Sequence, residues 1–134
     1  MEQQALTVYP SVSDVLTYCA AIMMISLDEA SDNVRDFSLL ESALNRPKAA
    51  AHYEQAGLIE QAASLLWGIA RNHPFVDGNK RTAYVTMTAF LRANGWTVEV
   101  TVDEEYTFMI AVAEHLSTQE VAEWIRERIA EYAG

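Results

Sequence analysis

From Leu58 to Arg71 the apolar positions Leu58, Ala62, Leu65, Leu66 and Ile69 fall on one face of a helix, and Ile59 and Ala63 widen that face. A stripe this broad leaves little of the helix for water, so the segment should be largely buried. It constrains the chain more than any other stretch, because every neighbouring segment has to supply part of its cover. The chain has the material: 134 residues, 51% of them hydrophobic, are enough for one sizeable core.

The other segments read mainly as helices. Val12, Val15, Leu16, Cys19, Ile22 and Met23 recur at helical spacing between Ser11 and Leu27, with Ser11 and Asp14 as a capping box. Asp28 to Val34 is polar and reads as a loop, and Leu39, Leu40, Ala43 and Leu44 mark a short helix that Pro47 should end. Lys48 to Gly57 reads as a short helix or a turn. After the apolar helix, Pro74 and the Asp77-Gly78 turn predict a loop. A helix should then run from Gly78 or Asn79 to Asn94, with Ala83, Met87, Phe90 and Leu91 inward and Gly95 as its stop. Trp96 to Val102 alternates like a short strand but has no evident partner, so at most a minimal β-hairpin or extended segment is expected. Asp103 can cap a helix reaching His115. Ser117 and Glu120 open a last amphipathic helix bearing Val121, Trp124, Ile125, Arg128 and Ile129. About six helices and almost no sheet predict a compact all-α domain spanning residues 1–134.

Charge excludes some functions. The net charge of −10 argues against a general nucleic-acid binder or an anionic-membrane binder, which hold phosphates with clustered Lys and Arg. No run approaches the length of a membrane span, and MEQQALTVYP lacks the basic and apolar regions of a leader, which predicts a soluble, cytoplasmic protein. The single cysteine, Cys19, lies in a helical apolar pattern and should be a buried thiol. His52 and His115 have no Cys or Asp at metal-ligand spacing. Trp67 and Trp124 sit at core spacing, and Trp96 is expected to be partly exposed. One segment is net positive: between Arg71 and Arg92 stand Arg71, Lys80, Arg81 and Arg92, with Asp77 as the sole acid.

That segment contains HPFVDGNKRTAY, His73 to Tyr84. A loop entering a helix at Gly78 offers an anion unpaired backbone N–H groups and the positive end of the dipole, and glycine permits close approach. Lys80 and Arg81 lie in the same turn, where the dipole disfavours cations by roughly 0.3–1 kcal/mol each, so their placement makes sense if an anion binds. Asp77 could hold magnesium, which takes one or two carboxylates plus substrate phosphates and water. His73 could accept a proton from an attacking hydroxyl. Each residue also has an ordinary explanation: His73 as a helix cap, Asp77-Gly78 as a turn, Lys80 and Arg81 as solvated or ion-paired cations. Pro74 and Phe75 read as a plug that fixes the loop on the core.

The joint pattern resembles the signature of the Fic/Doc superfamily, H-x-F-x-(D/E)-G-N-G-R-x-x-R in the Fic branch. Lys80 stands at the second glycine, as in the Doc (death-on-curing) branch. VRDFSLLESALNRP and AVAEHLSTQEVAEWI resemble Doc-like flanking segments, so the similarity spans nearly the whole chain. The resemblance implies a compact all-helical fold and a type II toxin–antitoxin toxin that transfers the γ-phosphate of ATP to a threonine of elongation factor Tu, arresting translation. In the Fic arrangement the glycine leaves room for the β-phosphate and AMP is transferred. The lysine of Doc implies a reversed nucleotide and phosphorylation. The implied roles are His73 as base, Asp77 as Mg2+ ligand, Gly78 and Asn79 as phosphate cradle, and Lys80 and Arg81 as phosphate-binding and catalytic cations.

Three features depart from the Fic or the Doc pattern or its surroundings. Tyr84 replaces a second phosphate-holding arginine, which favours the Doc branch. Gly78 is the Fic-like residue where some Doc proteins have alanine, which keeps adenylyl transfer as an alternative. DEASDN, ahead of Arg35, lacks the glycines common in the flap of the family. The inhibitory string (S/T)-x-x-x-E-(G/N) of many Fic proteins is absent, the nearest being TVDEEY from Thr101, so inhibition is expected in trans, by an antitoxin whose C-terminal segment folds into a groove. A further alternative is a catalytically inactive binding module. Sequence leaves the oligomeric state open.

Overall fold

A computed structural model describes residues 6–134, and residues 1–5, part of the stretch read for a leader, lie outside it. Among the described residues seven helices occur in the order α1 (Val12–Met23), α2 (Leu27–Asp32), α3 (Phe37–Glu54), α4 (Leu58–Asn72), α5 (Asn79–Ala93), α6 (Val102–Glu114) and α7 (Thr118–Arg128). Strand β1 (Trp96–Val98) follows α5 and β2 (Ile129–Glu131) follows α7. The fold is all-α, as the periodicities predict.

Helix α4 is the hub. Ala62, Leu65, Leu66, Ile69 and Ala70 are fully buried, and the helix packs against α3, α5, α6 and α7. Gly68 lets α3 approach closely, since a Cβ there would lie 2.7 Å from Arg46 Cδ and 3.3 Å from Ala43 Cβ. Trp67 is half-buried, donates its Nε1–H to the Leu116 carbonyl at 2.9 Å and is flanked by the Arg46 and Arg71 guanidinium groups, each 4.9 Å from the ring centroid. Cys19 is a buried free thiol, and Trp96 is partly exposed.

Four elements differ from the sequence expectations, each for a physical reason. The polar stretch after Leu27 is helix α2, not a loop: Ser26 Oγ accepts from the Glu29 N–H while the Glu29 carboxylate accepts from the Ser26 N–H. This capping box sustains a short helix with only Ala30 buried. Pro47 does not end α3, which continues to Glu54. The proline removes the hydrogen bond to the Ala43 carbonyl, yet its ring extends the buried stripe Leu40, Ala43, Leu44 on the face turned to α4. The cap of α6 is Thr101, whose hydroxyl accepts from Glu104 N–H, with Asp103, Glu104 and Glu105 in the first turn where the dipole favours them. Finally, α7 stops at Arg128, and Ile129 opens the strand that β1 needs: Trp96, Thr97 and Val98 pair antiparallel with Glu131, Ala130 and Ile129.

Both predicted capping boxes are present as read, Ser11 with Asp14 on α1 and Ser117 with Glu120 on α7. No helix among the described residues is long and apolar enough to cross a membrane.

Candidate active site

Helix α4 ends at Asn72, and His73 turns the chain in the left-handed conformation, φ 50° and ψ 59°. Its ring is exposed and makes no hydrogen bond among the described residues, which leaves both nitrogens available. Beyond it the chain dives inward: Pro74 is buried and Phe75 is 1% exposed, the plug expected from sequence. The segment before α3 grips this loop along its length. Arg35 Nη2 and Nε donate to the carbonyls of Asn72 and His73 at 3.0 and 2.9 Å, and the Arg35 backbone N–H donates to Pro74 O at 2.7 Å. Val34 and Phe75 form an isolated bridge, Val76 N–H donates to Asn33 O at 2.7 Å, and Asn33 Nδ2 donates to Asp77 O at 2.9 Å.

Gly78 begins α5 with φ 80°, a conformation that favours glycine, and a Cβ there would lie 2.9 Å from Met23 Sδ. No side chain caps α5. Its first-turn N–H groups are therefore open to a ligand, as the loop-to-helix reading requires. Asn79 divides its functions differently from that reading. Its Oδ1 accepts from Phe75 N–H at 3.0 Å and its Nδ2 donates to Phe75 O at 2.9 Å. The amide closes the loop on itself, so only the backbone N–H of Asn79 is left for a phosphate.

The four cations of the positive segment separate into two kinds. Arg71 stacks on Trp67 and donates to Val112 O at 3.2 Å, and Arg92 donates to Thr97 Oγ1 at 3.0 Å and stacks on Tyr132. Both are structural. Lys80 and Arg81 are exposed on the first turn of α5, and neither forms a salt bridge among the described residues. Two cations with no salt bridge stand here against the helix dipole, a placement that an anionic ligand would relieve.

These residues line a groove of about 730 Å³, which brings together His73, Asp77, Gly78, Asn79, Lys80 and Arg81. The opposite wall is one face of α6: Val102, Glu105, Tyr106 and Met109. Reading the sequence had not placed α6 at the site. The signal was present, since positions 102, 105, 106 and 109 share a helix face, and Val102 and Tyr106 remain 82% and 67% exposed on it. Asn33 and Arg35 were likewise missed as partners of the loop, because no local pattern announces a contact about forty residues away. Burial raises the Glu105 carboxyl pKa above its usual value, opposed by attraction to Arg81.

Tyr84 is 7% exposed and does not line the groove. It turns into the core, edge-on to Trp124, which stacks on Phe108 at 3.7 Å. Its hydroxyl is buried without a hydrogen-bond partner. Burial, reinforced by the Glu105 and Glu104 carboxylates, pushes its pKa up to about 12. Position 84 thus contributes no third cation to the groove.

Asp77 is exposed, and its Oδ1 accepts from Gly78 N–H at 2.9 Å, which leaves Oδ2 free of protein partners. No group of three or more His, Cys, Asp or Glu side chains suited to a metal occurs among the described residues. One carboxylate beside an anion site fits a magnesium ion that arrives with substrate phosphates and keeps its waters, and does not fit a protein-caged metal.

Two curated proteins and one family model are similar to parts of the chain. Toxin Doc of Mycolicibacterium smegmatis (strain ATCC 700084 / mc(2)155) is 48% identical over 64 residues, covering 46% of this chain and 49% of that protein. Protein kinase doc of Escherichia phage P1 is 43% identical over 56 residues, covering 41% of this chain and 44% of that protein. The chain therefore spans about half the length of the curated relatives it matches, or slightly less. A family model described as Fic/DOC family matches residues 9–91, from just before α1 into the last turn of α5, and so includes the whole motif loop. The chain belongs to the Fic/DOC family.

Proposed function

We propose that this protein is the toxin of a toxin–antitoxin pair and transfers the γ-phosphate of ATP to a threonine hydroxyl of elongation factor Tu, halting translation. The observation that carries the reading is the pairing, on one groove, of two cations that form no salt bridge among the described residues, Lys80 and Arg81, with the unengaged ring of His73. Lys80 supports phosphoryl over nucleotidyl transfer, because its side chain takes space that a glycine would leave for the β-phosphate. The names of the two relatives, one a toxin and one a protein kinase, point the same way.

In the reaction the threonine oxygen attacks the γ-phosphorus, the bond from that phosphorus to the β,γ-bridging oxygen breaks, and ADP departs. His73 takes the hydroxyl proton as the new P–O bond forms. Lys80, Arg81 and the open N–H groups at the start of α5 neutralise charge on the transferring group, and little covalent work is left to the protein. Asp77 would hold magnesium through its free oxygen, and the ion would supply further charge neutralisation on the phosphates.

ATP labelled at the γ- or the α-phosphate, incubated with the protein and elongation factor Tu, tests the reading. Label from the γ-position should reach the target, and His73→Ala should abolish both transfer and cellular toxicity. Label from the α-position would replace the kinase reading with adenylyl transfer. Transfer of neither label, with toxicity unchanged in His73→Ala, would leave a binding module. The partner is an antitoxin whose C-terminal segment folds into a groove of the toxin, and co-purification with the product of the neighbouring gene checks it.

A further inference from the structure

Three non-glycine residues of the described chain have positive φ, namely Met24, Gln55 and His73, and each ends a helix. A left-handed residue with a side chain is strained, and the common compensation is a backbone N–H that turns back to the last carbonyls of the helix. Met24 donates its N–H to Ala20 O, and Gln55 donates to Ala50 O. His73 makes no such bond. Its successor is Pro74, which has no N–H to give. Of the three ends, the one that bears the base lacks local closure.

Arg35 closes it from another part of the chain. Its guanidinium spans the Asn72 and His73 carbonyls and its backbone N–H takes the Pro74 carbonyl, so one residue holds three consecutive peptide groups around the left-handed turn. A planar fork fixes the relative placement of two acceptors, which the single ammonium of lysine does not. The guanidinium also lies at the negative end of the α4 dipole. Because the His73 ring has no hydrogen bond of its own among the described residues, the backbone turn alone decides where its Cβ points.

We infer that Arg35 is a positioning residue for His73: it holds the left-handed turn that aims the imidazole into the groove, without touching nucleotide or target. The inference rests on His73 being the base of the proposed reaction. It is tested with the full chain carrying Arg35→Ala or Arg35→Lys, using γ-labelled ATP and elongation factor Tu, and with backbone chemical shifts of residues 24, 55 and 73 in isotope-labelled protein. In both variants kcat should fall by about ten- to a hundredfold, while KM for ATP stays within about twofold. The His73 shifts should leave the left-handed range while those of Met24 and Gln55 stay in place.

An unchanged kcat, or His73 shifts that stay put, overturns the inference. So does a rise in KM with kcat retained. Loss of helix content with all three residues moving would make Arg35 a general structural residue and overturns it as well. Should Arg35→Ala not fold, Arg35→Lys carries both readouts. If the unsubstituted protein transfers no phosphate, the proposed function has failed, and the His73 shifts alone decide whether Arg35 holds the turn.

Discussion

Replacing Asn79 by alanine separates a residue that builds the loop from one that binds phosphate. The amide accepts from Phe75 N–H at 3.0 Å and donates to Phe75 O at 2.9 Å, and Phe75 is only 1% exposed. Alanine leaves both backbone groups without a partner. A buried group left unsatisfied costs ~1–3 kcal/mol, and relaxation of the loop toward water softens the larger figure, so the pair amounts to ~2–4 kcal/mol. For a chain of this size that lowers Tm by about 6–15 °C. Asn79→Asp should cost about as much: it retains an acceptor for Phe75 N–H and gains ~0.3–1 kcal/mol at the N-terminus of α5, but turns an acceptor toward the Phe75 carbonyl where a donor stood. Urea unfolding followed by circular dichroism measures the stability, and calorimetric titration of ATP into the same proteins measures affinity. An unchanged urea midpoint in Asn79→Ala, accompanied by a roughly tenfold loss of ATP affinity (about 1.4 kcal/mol), would refute the reasoning and return the amide to the ligand.

Tyr84→Phe should be neutral or stabilising by up to ~1 kcal/mol, because the hydroxyl it removes is buried without a partner. The folded-state pKa of Tyr84 is raised to about 12, so its contribution is complete below the unfolded value near 10 and is lost as pH rises toward 12. Alkaline unfolding should therefore begin at higher pH in Tyr84→Phe than in the unsubstituted protein, and coincident curves would contradict this. Arg81→Ala should lower kcat by about 10²–10³-fold and change unfolding stability by less than ~0.5 kcal/mol, since the side chain is exposed and has no ion pair; transfer assays and denaturation check the two halves. Ser26→Ala should cost about 1 kcal/mol by removing the cap of α2. The Glu29 pKa is lowered by its hydrogen bonds from Ser26, first the backbone N–H and then the hydroxyl, so the stability it lends exists above the unfolded pKa and fades as pH falls through the folded one. That acid dependence should shrink in Ser26→Ala, as parallel denaturation series at neutral and acid pH would show.

What was legible in the sequence was what repeats at short range. The broad apolar face of α4, the Ser11 and Ser117 capping boxes and the Gly95 stop each depend on residues within a turn or two, and each stands as read. The local capping boxes Ser26–Glu29 and Thr101–Glu104 went unread, and the other two failures came where a distant partner decides. Pro47 breaks an isolated helix, but here its ring completes a buried stripe against α4. Ile129 continues a helical pattern, but β1 is more than thirty residues away and takes it as a strand. At the site, HPFVDGNKR identified which side chains share the loop, and the groove does collect them. It could not reveal that the Asn79 amide is already engaged, that Arg35 holds the turn at His73, or that α6 forms the facing wall, because those facts belong to packing between segments.

The groove opposes Lys80 and Arg81 with Asp77 and Glu105, so its own side chains come close to balancing. Attraction for a polyanion then depends on details that a charge count hides. Burial raises the Glu105 pKa, an effect that its attraction to Arg81 opposes. Asp77 uses one oxygen on Gly78 N–H and offers the other outward. The uncapped N–H groups of α5 add positive potential that no residue in the sequence advertises as charge. Positive potential can therefore gather at one helix end of a chain whose net charge is −10. Tyr84 turns into the core where the Fic pattern has an arginine, so Lys80 and Arg81 are the arginine and lysine side chains that line the groove among the described residues.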